Sequence, residues 1–322
     1  MQKYSTKKQA KKRRWKLVFV CLILFLGLFF INKLAKNKVV SLYATAVNYI
    51  HPSKQTEVSN INKEFNLDLP WPSYGQSAYS PNKDSIIFQS NKDLKPVPFA
   101  SVAKIITALA VLEKKPLKVG EQGENITLTA QDVEFYNQHI ANLGSVVPVN
   151  EGEVITEYQA LQAMLLPSAN NIADSLAVWV FGSKENYVDY ANNMLRDLKL
   201  NDTKVADPSG YSPQTVSTAP ELIKLGYKYI ENPVLLEIAK QPTANIPVAG
   251  EVKNYNATFN QNGMIGIKVG FTDEAGRTFL AIKNNKDGSV AMVSVLGADD
   301  FPTAMQDALS ILEAGDSIIS TQ

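Results

Sequence analysis

Three short patterns in the chain could carry nucleophilic chemistry. The first is Ser101-Val102-Ala103-Lys104. Residues three apart share a helix face, so the Lys104 nitrogen can reach the Ser101 hydroxyl. A serine hydroxyl is a poor nucleophile until a neighbouring base takes its proton. Lysine can be that base when desolvation or a nearby cation lowers its pKa. The spacing alone is common, since Ser5 and Ser80 also begin Ser-x-x-Lys. Ser5 falls in a basic amino-terminal segment and Ser80 precedes Pro81, as in a turn. Only Ser101 opens an apolar helix, predicted over 101–113. The plain alternative is a Ser101 that caps this helix and a solvated Lys104.

The second pattern is Ser168-Ala169-Asn170, which follows Pro167 at a predicted helix start. Taken alone it reads as a helix cap. Beside a serine nucleophile it would add a second hydroxyl able to pass a proton and an amide able to hold a substrate carbonyl. The third is Lys268-Val269-Gly270, at the end of a strand predicted over 266–272. Gly270 would let an extended peptide approach the strand edge closely. Lys268 would attract a carboxylate and lower the pKa of Lys104, or else simply guard an edge strand. A second Lys-Val-Gly at 118–120 lies in a polar loop.

These patterns need elements to hold them. Apolar spacing predicts a short strand at 85–89, the helix at 101–113 and a small strand at 125–129. Helices follow at 157–166, 170–180, 184–198 and 218–231. The pattern then changes to strands at 266–272, 278–283 and 289–296, the last two joined by an Asn-Asn-Lys-Asp-Gly turn, and a final helix at 304–314. Strand, helical block, strands and helix predict an α+β body with a helical insertion.

Composition excludes several classes. The chain of 322 residues is 45% hydrophobic and 20% charged, which is globular rather than collagenous or disordered. Eleven of the 32 Lys and Arg lie in residues 1–38, which contain no acidic residue, so the remainder carries 21 basic against 31 acidic residues. Such an acidic body is not built to grip nucleic acid. One cysteine, Cys21, excludes an intrachain disulfide and a thiolate cluster, and two histidines leave little room for a metal site. No cofactor is expected. Eight basic residues in 1–16 precede the apolar run 17–31. Read over 17–34, with Lys33 snorkelling outward, this predicts a single-pass transmembrane signal-anchor. A cleaved signal peptide is the alternative, but no small-x-small site follows closely. The charge bias predicts a cytoplasmic tail at 1–16, a stalk at 35–70 and a body at 71–322 on the extracellular or periplasmic side of the cell membrane.

In combination and in this order, the patterns resemble the low-molecular-mass D-alanyl-D-alanine carboxypeptidases, penicillin-binding serine peptidases of family S11. Ser-x-x-Lys, Ser-x-Asn and Lys-x-Gly are the motifs of that wider group. The segment from Phe99 to Leu109 resembles its "PAS-x-x-K-x-x-TAL" helix. Leu166 to Ala173 resembles "SGNDAA", Asp207-Pro208-Ser209-Gly210-Tyr211 resembles "N-P-x-G-L", and Ser217 to Leu222 resembles "STA-x-D-L". Lys268 to Gly276 is close to "KTGFTDEAG". The likeness runs from about Trp71 to Ala314.

The resemblance implies a β-lactamase/DD-peptidase-like fold: a mainly antiparallel sheet flanked by helices, plus a helical subdomain with the serine between. It implies that Ser101 attacks the carbonyl between two D-alanines of a peptidoglycan stem peptide, with Lys104 as base. Ser168 and Asn170 would relay protons and orient the peptide, and Lys268 and Gly270 would help bind it. The Ser101 and Phe271 N–H groups would form the oxyanion hole, and β-lactam antibiotics would acylate Ser101. The chain departs from the family at Val269, where threonine is usual, and Thr272 on the Lys268 face is a partial substitute. Where relatives carry a carboxylate-binding arginine this chain has Asp299 and Asp300, and Arg277 is the nearest basic candidate. The family's extra carboxy-terminal domain and terminal anchor are not recognisable, so the amino-terminal span is expected to serve as the tether. The alternatives are a related endopeptidase, or a weakened or inactive relative that binds wall peptides or a partner. A β-lactamase is disfavoured because no Glu-x-x-Leu-Asn segment is found.

Overall fold

A computed structural model describes residues 69–91 and 93–319. The expected tail and transmembrane span, and nearly all of the stalk, lie outside the described residues. Among the described residues no helix is long and apolar enough to cross a membrane. Leu69, assigned above to the stalk, is already buried in the body.

The body is built on a five-stranded antiparallel sheet. Its strands are β1 (Gln76–Ser80), β2 (Phe88–Gln89), β9 (Met264–Thr272), β10 (Gly276–Asn284) and β11 (Val290–Ala298). The order is β2-β1-β11-β10-β9, so β9 is an edge strand. Successive strand side chains point to opposite faces, and here both faces are apolar. Leu280, Ile282, Met292 and Leu296 enter one core with the helices. Their neighbours Phe279, Ala281, Val293 and Val295 enter a second core, closed by Ala304, Ala308, Leu309 and Leu312 of a long carboxy-terminal helix, Phe301–Ile319. Short runs that are apolar at nearly every position therefore mark strands buried on both sides.

Between β1 and β9 lies the helical part. A two-residue strand β3 (Val97–Pro98) leads into a 3-10 turn (Ala100–Ala103) and then α1 (Lys104–Lys114). The single helix expected from 101 is thus two pieces. The reason is the approach, in which Ala100 has φ +50 and its carbonyl lies where any side chain on Gly210 would sit. After β4 (Asn125–Thr127) come α2 (Ala130–Ala141), β5 (Val154–Thr156), α3 (Glu157–Leu165), α4 (Asn170–Phe181) and α5 (Lys184–Asp197). Next are β6 (Val216–Ser217), α6 (Ala219–Glu231), α7 (Pro233–Lys240) and the hairpin of β7 (Thr243–Ile246) with β8 (Gly250–Lys253), and the helix Phe301–Ile319 is α8. Local signals place several of these boundaries. Thr156 and Gln159 form a capping box on α3, Gly182 in the left-handed region ends α4, and Asn232 caps α7 ahead of Pro233. β1, α2, α7 and the β7–β8 hairpin were not predicted, and the expected strand at 85–89 shrinks to β2.

Candidate active site

Ser101 lies in the 3-10 turn and Lys104 opens α1, so the three-residue spacing brings them together as expected. The Lys104 amine is wholly buried. It donates to Ser101 Oγ at 2.8 Å, Asn170 Oδ1 at 2.7 Å and the Ser209 carbonyl at 2.8 Å. Burial pulls its pKa down to about 7, and the charges of Asp207 and Asp174 offset only part of that. Lys104 is therefore no solvated charge. It is an amine close to half-neutral at neutral pH and within hydrogen-bond reach of a hydroxyl.

Ser168 is not a helix cap. The cap position of α4 is Ala169, which makes no side-chain capping bond, while Ser168 sits at φ +64 in the left-handed region. That conformation costs a non-glycine residue about 1 kcal/mol or more. It turns the Ser168 hydroxyl to Lys268, whose Nζ donates to Ser168 Oγ and to the Val269 carbonyl, both at 2.9 Å. Lys268 is on the edge strand yet fully buried, so it does not guard the edge from solvent. Its pKa falls well below the ordinary lysine value, first through desolvation and then through repulsion from Lys104. Asn170 is held by its own N–H, which donates to the Ser145 carbonyl at 2.7 Å.

Strand β9 forms the opposite wall. The Val269 N–H donates to Asn256 Oδ1 at 2.9 Å, on the side away from β10. Strand alternation puts the Phe271 N–H on that same outer side. Gly270 lets this strand reach the serine, because a Cβ there would stand 2.8 Å from the Ser101 nitrogen and 2.6 Å from Thr278 Oγ1. Thr278 braces both partners by donating to the carbonyls of Phe99 and Gly270. Val269 borders the cleft, and its side chain, with only 7% of its surface exposed, joins the rim of the second core under α8. Thr272 borders the cleft, and its hydroxyl accepts from the Ala275 N–H. Arg277 stacks its guanidinium 3.7 Å from the centre of the Phe271 ring and is absent from the cleft lining.

The two walls enclose a cleft of about 750 Å³ that opens onto Ser101, Ser168, Asn170 and Gly270. Sequence reasoning assigned no role to Asp207, Ser209, Asn256 or Tyr211. Asp207 organises the turn that presents the Ser209 carbonyl, accepting from the N–H groups of Ser209, Tyr211 and Ser212. Burial pushes its carboxyl up, but these bonds outweigh it and hold the pKa below the usual range. The Asp-Pro-Ser-Gly turn was the available signal for this support. Asn256 had none, being an asparagine in a polar stretch. Among the described residues no cluster of three or more His, Cys, Asp or Glu could hold a metal.

Residues 79–300 match the peptidase S11 family, D-alanyl-D-alanine carboxypeptidase. A D-alanyl-D-alanine endopeptidase of Pseudomonas aeruginosa is 29% identical, the match covering 73% of this chain and 75% of that protein. The D-alanyl-D-alanine carboxypeptidase DacB2 of Mycobacterium tuberculosis is also 29% identical, over 68% of this chain and 74% of that one. In fold, the chain is similar to a D-alanyl-D-alanine carboxypeptidase from Mycobacterium tuberculosis, with a TM-score of 0.66 at 23% identity, covering 77% of this chain and 93% of that one. It is likewise similar to the Streptomyces K15 DD-transpeptidase, with a TM-score of 0.67 at 21% identity, covering 75% of this chain and 96% of that one. The matched family spans both walls of the cleft and every strand of the sheet, β1 only in part, and on that evidence the chain belongs to the S11 family of serine D-alanyl-D-alanine peptidases.

Proposed function

We propose that the protein is a D-Ala-D-Ala carboxypeptidase that removes the terminal D-alanine from peptidoglycan stem peptides. The observation that carries this reading is the Lys104 amine, buried, lowered to about 7 and 2.8 Å from Ser101 Oγ. In this reading neutral Lys104 takes the Ser101 proton as Oγ attacks the penultimate D-alanine carbonyl. The N–H groups of Ser101 and Phe271 receive the oxyanion, and one such donor is worth roughly 10²–10³ in rate. Collapse breaks the C–N bond. Lys104 gives the Ser101 proton on through the Ser168 hydroxyl, which is bonded to Lys268, to the departing amine and is neutral again. Water then hydrolyses the acyl-enzyme by the reverse path. Lys268, Gly270 and Thr272 bind the peptide and its carboxylate, and Asn170 orients it. In this reading Arg277 steadies Phe271, on whose ring it stacks. β-Lactams would be trapped on Ser101 by the same attack.

The P. aeruginosa relative, named an endopeptidase, favours one second reading, cleavage of cross-links. The amino-terminal segment belongs to the same proposal, with eight basic residues before an apolar run anchoring the body outside the cell membrane. The test is a fluorescent penicillin on the wild type and Ser101→Ala, followed by a pentapeptide and a cross-linked dimer as substrates. Label lost only in the variant, with D-alanine released from the pentapeptide, is the expected result. Cleavage of the dimer alone would replace the carboxypeptidase reading by the endopeptidase. An unlabelled, well-folded wild type would overturn both.

A further inference from the structure

His139 and Asp174 have no part in the scheme above, yet they sit directly behind it. His139, near the end of α2, places Nε2 3.0 Å from Asp174 Oδ2, and both side chains are nearly buried. Asp174 lies on α4 one turn after Asn170, so the two share a helix face. The Lys104 amine is bonded to that same Asn170. The His139 backbone carbonyl accepts from the Gly144 N–H at 2.8 Å. Gly144 in turn packs on Asn170, since a Cβ there would meet Asn170 Nδ2 at 2.7 Å and His139 Nδ1 at 3.5 Å. The His139 ring meets Tyr211 edge-on across the cleft wall, at 6.2 Å between centroids. Its Nδ1 is buried without a hydrogen-bond partner. The Asp174 bond therefore fixes which ring nitrogen carries the proton.

Resting on the carboxypeptidase reading, we infer that His139 and Asp174 are a positioning pair for the reaction. Asp174 supplies a negative charge behind Asn170 and Lys104 that sets the lower edge of the working pH range, and His139 holds in place that carboxylate and residues 142–145, which line the cleft. The charged and titratable groups facing the pair are few. Lys184, at the start of α5, reaches Asp174 Oδ2 at 3.4 Å, and Tyr211 faces the ring. Lys104 responds to Asp207 and also to Asp174. A carboxylate favours the charged form of a nearby lysine, so Asp174 keeps Lys104 protonated to a higher pH than burial alone would. The pair thus opposes the desolvation that makes Lys104 a base.

The experiment is the rate of acylation by fluorescent penicillin against pH for the wild type, Asp174→Asn, His139→Ala and His139→Gln. Asp174→Asn keeps the shape and a hydrogen bond but loses the charge, so its acid limb should move to lower pH by about half a unit or more. His139→Ala should acylate about tenfold more slowly, as expected when a supporting contact misplaces reacting groups. His139→Gln, which retains an N–H donor, should recover much of that rate. A role in stability alone would lower the melting temperature of these variants and leave the limb in place. An unmoved acid limb in folded Asp174→Asn would overturn the inference. So would His139→Ala acylating at the wild-type rate. Both results are distinct from an unlabelled wild type, which would overturn the functional reading and this inference with it.

Discussion

Ser168 at φ +64 shows how one residue trades stability for a role. Glycine adopts this conformation without the Cβ penalty. Ser168→Gly should therefore stabilise the fold by about 1 kcal/mol in urea titration. It should also slow penicillin acylation sharply, because the Lys268 partner is lost. Val269 makes the complementary case. A threonine there would offer a hydroxyl to a bound carboxylate, an interaction worth about 1.5–3 kcal/mol. Val269→Thr should raise kcat/KM for D-alanine release about tenfold or more, with a modest fall in stability because the side chain joins the core under α8. In the proposed mechanism the working pH follows from Lys104, which must be neutral to accept the serine proton. Acylation should rise with pH through about 7 and then level, measured with labelled penicillin. At this scale much was legible beforehand. The spacing of Ser101 and Lys104, the Ser168–Asn170 pair and Lys268 all come into one cleft. What stayed hidden was the support: Asn256 meets Val269 and His139 meets Asp174 across intervening chain, and no local pattern encodes such contacts.

Among the elements, β9 and the 3-10 turn set the spacing across the cleft. They meet at Gly270, where a Cβ would press on the Ser101 nitrogen and on Thr278. Gly270→Val should cost about 1–3 kcal/mol by overpacking. It should also cut acylation at least a hundredfold while the far-UV circular dichroism stays native. Long, apolar elements such as α4 and the β10–β11 hairpin were readable because periodicity and turn residues agree there. β1 was not. Its sequence QSAYS is weakly apolar, yet it is buried along its whole length because α6 packs on one face of it and α8 on the other. α2 was missed for the opposite reason: among its residues only Asp132 and Phe135 are buried, so it carries almost no apolar stripe. The break before α1 was also invisible, since it depends on Gly210 approaching Ala100 from more than a hundred residues away.

For the whole molecule, two wholly buried lysines are a standing cost. Lys104 and Lys268 both have folded-state pKa values below the ordinary 10.5. Between about 7 and 10.5 the unfolded chain binds protons that the folded chain does not, so this contribution makes stability rise with pH across that window. Lys268→Met should accordingly melt at or above the wild-type temperature at pH 7 while losing acylation, measured by calorimetry and penicillin labelling. The sheet has a further consequence, through time rather than energy. β1 pairs with β11, so residues 76–80 wait for residues 290–298 to be synthesised before their ladder can form. Closing so long a loop is slow. A ribosome that has delivered β1 and helices α1 to α7 but not the β10–β11 hairpin holds a nascent chain in which β1 still lacks its β11 partner. The cleft, whose far wall is β9, comes into being only after residues 264–272 have been made.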